Sequence, residues 1–94
     1  MPQQSRISKN NTTVFDLNGD TFVSLHNTTV VRFNDKTILL NTGGYLTSTT
    51  KTRMNQTSNQ FGLGYQVYQH DYMWYVDYNG VTMEFMGDSV KFNR

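Results

Sequence analysis

The sequence predicts an α+β domain: an antiparallel, hairpin-rich sheet (a meander) with one polar central helix. Asn-Gly pairs at 18–19 and 79–80 suit the two positive φ angles of a type I′ hairpin turn. Strand-length segments with alternating apolar residues lie on both sides of residues 48–61. Those central residues are almost all polar. No strand–helix–strand rhythm appears, which favours antiparallel pairing.

The chain is long enough for one domain. Its 94 residues bury enough surface for one modest core. Residues 1–10 show no periodicity and are predicted to be a flexible N-terminal tail, because chain ends often lack fixed structure. Residues 11–94 are predicted to form a single α+β domain.

Eight segments have the composition of strands, four before the polar centre and four after it. Valine, isoleucine, threonine and aromatic residues are enriched in them, as is typical of strands. Turns are predicted at "LNGD", "FNDKT", "QHDY", "YNGV" and "MGDS". The predicted strands are "TTVFDL", "TFVSL", "TTVVRFN" and "TILLNT", then "LGYQVYQ", "YMWYVDY", "VTMEFM" and "SVKFN".

The segment 48–61 is predicted to be the helix. Ser48, Thr49 or Thr50 can cap its start, and Gly62 can adopt the left-handed conformation just past its end. Only Met54 and Phe61 form an apolar stripe, so the helix is expected to place one narrow edge on the sheet.

Alternation in the later strands predicts the core. In "YMWYVDY" the inward pair is Trp74 and Val76, because the other register would bury Asp77. Tyr75 is then expected to face outward. Val90 and Phe92 are predicted to share a face opposite Lys91. Val81, Met83 and Phe85 are predicted to share one strand face. The predicted core around Met54 consists of Trp74, Val76, Leu63, Tyr65, Val67, Met83, Phe85 and Phe61.

Composition excludes several classes of function. The net charge of +1 supplies no whole-molecule field for nucleic acid or an anionic membrane, so such binding needs a local patch. The chain has no cysteine, which excludes disulfides and a cysteine nucleophile. No apolar run approaches the length of a membrane span, and no signal peptide is apparent. We expect a cytoplasmic protein without a cofactor.

The polar helix contains the candidate ligand-binding side chains. Lys51 and Arg53 are expected in its first turn, where free amide hydrogens and the helix dipole attract an anion but repel cations. Asn55, Gln56, Asn59 and Gln60 offer donors and acceptors beside them. Two structural alternatives stay open. The segment is an ordinary solvated helix, or a carboxylate folds in to pair the cations; the candidates are Asp16, Asp35, Asp71, Asp77 and Asp88.

Three tyrosines are further candidates for ligand binding. Tyr45, Tyr68 and Tyr75 are expected to be exposed or partly exposed. Aromatic rings on a sheet beside basic side chains are typical of proteins that stack single-stranded bases. Cross-strand packing explains such tyrosines equally well.

Catalytic motifs are lacking, so the sequence predicts that the protein is not an enzyme. His26 and His70 are far apart in the chain, and Glu84 is the sole glutamate. No serine lies in a G-x-S-x-G elbow. No histidine and carboxylate spacing resembles a metal site.

The segments "TTKTRMNQTSNQFGLGYQVYQ" and "WYVDYNG" resemble a group of small proteins from tailed bacteriophages, often marine ones. In that group a Thr-Lys-x-Arg-Met-Asn-Gln segment precedes such a strand pair. The resemblance covers roughly residues 28–86, and its distinctive part is Thr50 to Tyr68. It implies a phage origin and expression inside a bacterial host, and it supplies no activity.

Two functions are therefore expected. The first is a small non-catalytic binding protein that holds a nucleic acid or a phosphate-bearing small molecule through helix 50–60. The alternative is a protein-interaction module, either a virion component or an inhibitor of a host protein. Such a module can also form a homo-oligomer through an exposed strand edge.

Overall fold

The structure is a computed structural model that describes residue 7 and residues 11–44, 46–85 and 87–94. The elements, in chain order, are β1 (Thr12–Leu17), β2 (Asp20–Leu25), β3 (Thr28–Phe33), β4 (Thr37–Asn41), α1 (Ser48–Phe61), β5 (Tyr65–His70), β6 (Met73–Tyr78), β7 (Val81–Glu84) and β8 (Ser89–Asn93).

The strands form two antiparallel sheets. The larger has the order β1-β2-β3-β4-β8, and the smaller has the order β5-β6-β7. The prediction of an α+β fold with hairpin-rich antiparallel pairing and one polar helix is confirmed. The division into two sheets was not predicted. The sheets are separate because β4 does not pair with β5, and because β8 pairs with β4 and not with β7, its neighbour in the chain.

Hairpin turns form where the sequence predicts them. Asn18 and Gly19 have φ angles of 54° and 87° between β1 and β2, and Asn79 and Gly80 have 51° and 77° between β6 and β7. Both pairs have the positive φ angles of a type I′ turn, which matches the twist of antiparallel strands.

The caps of α1 fix where the helix begins and ends. The N-cap is Thr47, whose hydroxyl accepts the Thr50 backbone N–H at 3.2 Å. The prediction of a cap at Ser48, Thr49 or Thr50 is therefore wrong, because these residues already belong to the helix and Thr47 has the extended backbone of a cap residue. The predicted left-handed Gly62 is confirmed, with φ 65° and ψ 37°.

One hydrophobic core joins both sheets and α1. Phe92 of the larger sheet packs against Tyr78 and Tyr65 of the smaller one, with ring centroids 4.7 Å and 6.0 Å apart. Burial is confirmed for Met54, Leu63, Tyr65, Val67, Trp74, Val76 and Phe85. The larger sheet and the N-terminal segment add buried residues that were not predicted: Ile7, Val23, Leu25, Val30, Val31, Phe33, Ile38 and Leu40.

Two predicted core residues, and a third residue from the same strand face, lie at the rim of the core or outside it. Phe61 is 37% exposed at the end of the helix, and its ring centroid lies 5.0 Å from that of Phe33. Val81 is 57% exposed at the start of the edge strand β7. Met83 is partly buried against the core. The predicted inward position of Phe61 is wrong, and Val81 does not share the burial of Phe85 on its strand face.

The predicted tail over residues 1–10 lies outside the described residues except at Ile7. Ile7 is buried and donates its backbone N–H to Gln60 Oε1 at 2.8 Å. Within the described ranges, the structure contains no helix with the length and apolar character needed to cross a membrane.

Candidate functional site

The polar face of α1 lies against β5, the edge strand of the smaller sheet. Asn55 donates from Nδ2 to the Val67 carbonyl at 2.8 Å and accepts the Val67 N–H on Oδ1 at 2.7 Å. One turn later, Ser58 Oγ donates to the Tyr65 carbonyl at 2.7 Å and accepts the Tyr65 N–H at 3.0 Å. Two side chains of the helix therefore bond the backbone groups that a neighbouring strand would otherwise pair.

This arrangement explains why the helix is polar and nevertheless buried. Val67 and Tyr65 are alternate residues of β5, so their backbone groups point to the same edge. Asn55 and Ser58 are three residues apart and lie on one helix face. Lys51 extends the row by donating from Nζ to Gln69 Oε1 at 3.2 Å. The helix thus runs antiparallel to β5 and covers its edge with side-chain hydrogen bonds.

The predicted ligand-binding residues of α1 are not all exposed. Arg53, Asn55 and Gln56 are buried, and Lys51 is half-buried. Asn59 and Gln60 are exposed. The expectation of one narrow buried edge is wrong, because α1 also buries Thr50, Thr57 and Ser58. Among these predicted ligand-binding side chains of α1, the expected full exposure holds only for Asn59 and Gln60.

The two cations of α1 have neutral partners. Arg53 donates from Nε to Thr12 Oγ1 at 2.9 Å and from Nη1 to Gln56 Oε1 at 3.2 Å. Lys51 Nζ lies 5.5 Å from the centre of the Trp74 ring. Neither cation contacts a carboxylate in the part of the chain that the structure describes, so none of the five suggested aspartates pairs with them. Because α1 begins at Ser48, Arg53 lies in the second turn, not in the first.

The predicted tyrosines are only partly brought together. Tyr68 and Tyr75 stack across β5 and β6, with ring centroids 5.7 Å apart and planes 25° apart. Both are half-buried, and Tyr68 donates its hydroxyl to Asp77 Oδ1 at 3.1 Å. Tyr45 lies outside the described residues. The structure places Tyr68 and Tyr75 on the smaller sheet, and their role in ligand binding stays a prediction.

A cavity of about 410 Å³ lies at the start of α1. Its wall includes His26 and Asn27 from the β2–β3 turn and the apolar Leu25 and Val30. The described lining contains no carboxylate, and the remaining lining residues all carry hydroxyl groups: Thr28, Thr42, Thr47, Thr49 and Thr50. The cavity can therefore offer many neutral hydrogen-bonding groups to a small molecule.

A second feature is the strand β1, which is an edge of the larger sheet. Val14, Phe15 and Leu17 are 42%, 43% and 55% exposed. Phe15 stacks on Phe22 of β2 with ring centroids 5.0 Å apart and planes 7° apart. The guanidinium of Arg32 in β3 lies 4.9 Å from the centre of the Phe22 ring. We call these five residues the β1 surface.

Asp20 holds the Arg32 guanidinium in place. Arg32 donates to Asp20 Oδ2 from Nε at 3.0 Å and from Nη2 at 2.7 Å, and Asn34 Nδ2 donates to Oδ1 at 2.8 Å. The hydrogen bonds from Asn34 and then from Arg32 lower the pKa of the Asp20 carboxyl. Asp20 therefore holds the Arg32 guanidinium in one orientation over the Phe22 ring and largely neutralises its charge.

The model of the Kyanoviridae Gp96 protein family matches residues 1–91. The chain belongs to this family of phage proteins. The phage origin implied by the sequence resemblance is thereby confirmed at the level of the family. No curated protein and no solved structure matches the chain. That the Thr50 to Tyr68 segment is the distinctive part of the family resemblance stays a prediction.

One histidine–carboxylate pair comes together in this phage protein. His70 Nε2 and Asp71 Oδ2 are 3.3 Å apart, although neighbouring side chains of an extended strand point apart. They approach because Asp71 has a φ of 50° in the β5–β6 turn. Their side chains are 73% and 87% exposed, so the pair is solvated. The described residues contain no group of three or more His, Asp and Glu able to hold a metal ion.

Sequence reasoning missed the β1 surface. Its signal is present in "TTVFDL", where Val14 and Phe15 are adjacent and so face opposite sides of the strand. A strand that is apolar on both faces is typical of the interior of a sheet, yet this one is an edge strand of the larger sheet. Such a strand at an edge is a candidate interaction surface.

Proposed function

We propose that this phage protein is a non-catalytic protein-interaction module that binds a partner by adding the partner's strand to β1. The observation that carries the proposal is the difference between β1 and the other sheet edges. An unpaired edge strand presents a row of free N–H and C=O groups that pairs readily with another strand. Proteins usually have features that prevent strand addition at such edges. Three of the four sheet edges described here have such a feature.

These features differ in kind. At β5 the side chains of Asn55 and Ser58 bond the edge directly. In β8 the central residue is Lys91, which is exposed, and an edge lysine disfavours strand addition. The edge strand β7 has only four residues and ends in the exposed Glu84. By contrast, β1 has six residues, no lysine and no proline.

The backbone of β1 directs N–H and C=O groups away from β2 at defined residues, and no described strand pairs with them. Leu17 and Asp20 flank the two-residue turn and form a hydrogen-bonded pair in such a hairpin. Pairs without and with hydrogen bonds then alternate along the two strands. His26 N–H donates to the Asn11 carbonyl at 2.7 Å, which agrees with this alternation. Val14 and Asp16 consequently direct their N–H and C=O groups away from β2.

Side chains beside these groups suit a protein partner. Phe15 and Leu17 are exposed on the outer face of the sheet, in the row that Phe22 and Arg32 continue. Aromatic residues and arginine are enriched among the residues that dominate binding energy at interfaces. Asp16 is the only charged residue of β1, and it accepts the Thr21 hydroxyl at 2.7 Å.

The test compares two proline substitutions at the two edges of the same sheet. Val14→Pro removes an N–H that points away from β2, so it blocks strand addition without removing a hydrogen bond between β1 and β2. The matched control is Lys91→Pro, because the Thr42 N–H to Asp88 and Arg94 N–H to Lys36 bonds put Lys91 at an outward position of β8. Each protein is used as bait for phage and host proteins, with identification by mass spectrometry.

We expect the wild-type protein and the Lys91→Pro variant to retain the same partner and the Val14→Pro variant to lose it. Because Val14 lies opposite the buried Val23, on the inner face of the sheet, the variant Phe15→Lys is tested in parallel. Its side chain lies on the outer face and adds a charge without altering the backbone. Retention of every partner by both β1 variants would contradict the proposal.

A second candidate function is the binding of a phosphate-bearing small molecule or a nucleic acid. The cavity at the start of α1 favours the small molecule, because the positive end of a helix and His26 lie at its wall. The stacked Phe15 and Phe22 beside Arg32 favour single-stranded nucleic acid. Titration with nucleotides and short oligonucleotides, repeated at increasing salt, tests both, because phosphate contacts weaken steeply with salt.

The titration also separates the two sites. Nucleotide binding that is lost in Thr49→Val and kept in Phe15→Lys places the ligand in the cavity. Oligonucleotide binding with the opposite dependence places it on the β1 surface. Binding of neither ligand at low salt would leave strand addition as the function.

A further inference from the structure

We infer that the strand that pairs with β1 is β1 of a second copy of this chain, antiparallel, with Phe15 opposite Phe15. This inference rests on the proposed function and names the partner. It is carried by three properties of β1: the positions of its free backbone groups, the distribution of its exposed apolar side chains and the location of its one charge.

The backbone groups of β1 match their own two-fold copy. An axis at Phe15 brings Val14 opposite Asp16 of the second copy, and Asp16 opposite Val14 of the second copy. Both residues direct their N–H and C=O groups away from β2, as the register requires. Each such pair can exchange both N–H···O bonds of an antiparallel ladder. The larger sheets of the two copies would then be continuous.

The apolar side chains gather at the same axis. Phe15 faces its copy as a pair without direct hydrogen bonds, the type in which side chains lie closest. Each Phe15 already stacks on Phe22 at 5.0 Å, so the pairing extends the stack into a row of rings across the seam. Leu17, which is 55% exposed, comes to lie opposite Thr13 of the second copy.

Charge opposes this register only weakly. Asp16 faces Val14 of the second copy rather than its own copy, so the two carboxylates are not directly opposite each other. The Thr21 hydroxyl donates to Asp16 Oδ1 within each chain. With a net charge of +1, two copies repel each other only weakly.

Sedimentation equilibrium over a range of protein concentrations tests the dimer. The average mass of the wild-type protein is expected to rise with concentration toward twice the chain mass, and Lys91→Pro should follow the same curve. Val14→Pro and Phe15→Lys are expected to stay monomeric throughout. A matched control for Phe15→Lys is Val81→Lys, which places the same charge at a residue 57% exposed on the edge of the other sheet. Circular dichroism establishes that each variant is folded.

The register is tested by disulfide formation, which the absence of native cysteine makes unambiguous. In the inferred register Phe15→Cys places two thiols in a directly opposed pair without hydrogen bonds, whereas Val14→Cys places them diagonally. Under mild oxidation we expect the Phe15→Cys protein to be crosslinked at least tenfold faster than the Val14→Cys protein, in a concentration-dependent reaction. Faster crosslinking of Val14→Cys would overturn the register.

The outcomes distinguish this inference from the proposed function. A wild-type protein that stays monomeric at all concentrations, or a Val14→Pro dimer as tight as the wild type, overturns the second copy as partner. If the monomer still captures another protein in a Val14-dependent way, strand addition to β1 stands. If the dimer forms and no other protein is captured, self-association is the interaction that β1 serves.

Discussion

Replacement of Asn55 tests the contact between α1 and β5 most directly. Its amide is buried and bonds both backbone groups of Val67, at 2.8 Å and 2.7 Å. In Asn55→Ala the Val67 N–H and C=O lose these partners. No strand lies on that side of β5 to replace them.

The expected loss of stability is large for a domain of this size. A buried backbone group left without a partner costs about 1–3 kcal/mol, so two such groups cost roughly 2–6 kcal/mol. The whole free energy of unfolding of a small domain is about 5–15 kcal/mol. Asn55→Ala should therefore remove a substantial part of it, and the variant is expected to be partly unfolded at moderate temperature.

A second variant separates hydrogen bonding from packing. Asn55→Asp has nearly the same shape and keeps an acceptor for the Val67 N–H, but at neutral pH its second oxygen faces the Val67 carbonyl. Burial raises the pKa of this introduced carboxyl above its usual value of about 3.9. Its protonation in the folded state restores a donor. The variant is therefore expected to gain stability relative to the wild type as the pH falls from 7 to about 5.

Urea unfolding of each variant, with hydrogen exchange of the Val67 amide, measures both effects. Asn59 provides the control, because it is exposed on the next turn of α1 and surface substitutions usually change stability by at most about 0.5 kcal/mol. Equal unfolding free energies for Asn55→Ala and Asn59→Ala, with unchanged protection of Val67, would refute the role assigned to the helix.

Three further predictions concern the core and the titrating groups. Trp74→Ala should cost about 3–5 kcal/mol in urea unfolding, because Trp74 is 4% exposed, whereas Tyr72→Ala, at a ring 91% exposed, should cost little. Tyr65→Phe should cost about 0.5–1.5 kcal/mol through loss of the 2.6 Å bond to the Met54 carbonyl. Since burial raises the pKa of Tyr65 well above 10.0, wild-type stability should fall as the pH rises above about 10, and Tyr65→Phe should show a smaller fall. The pKa of Asp20 is lowered, so its contribution is present above about 3.9 and is lost as the pH falls below it. Asp20→Asn should therefore lose less stability than the wild type in that acid range.

The strands were predictable because their signals are local. Asn-Gly pairs fix two turns, and alternation fixes which face of each strand is buried. Each observed strand coincides with its predicted segment to within one or two residues. The pairing of β8 with β4 was not predictable in this way, because it joins Thr37 to Asn93 across most of the chain. The residue pattern of β4 or of β8 does not identify the strand with which it pairs.

The burial of the polar helix was predicted wrongly for a physical reason. Hydrophobic periodicity identifies a buried helix face only when the face packs on apolar side chains. Here the buried face meets the backbone edge of β5, which requires donors and acceptors, so Asn55 and Ser58 are the residues that burial selects. The spacing of Lys51, Asn55 and Ser58 along one side was visible in the sequence. Their target was not, because only the fold reveals that β5 is an edge.

The edge of β5, which α1 covers, contrasts with the edge of β1. Covering the edge of β5 places polar side chains, including Asn55, in a buried environment, which costs stability unless every group is bonded. In the described residues every buried side-chain nitrogen and oxygen has a hydrogen-bond partner. A fold that satisfies one edge so completely still leaves Val14 and Asp16 on another edge beside the exposed Phe15. An exposed apolar edge of this length promotes uncontrolled association. A specific partner for β1 resolves that conflict, and strand pairing is the interaction that its free backbone groups allow.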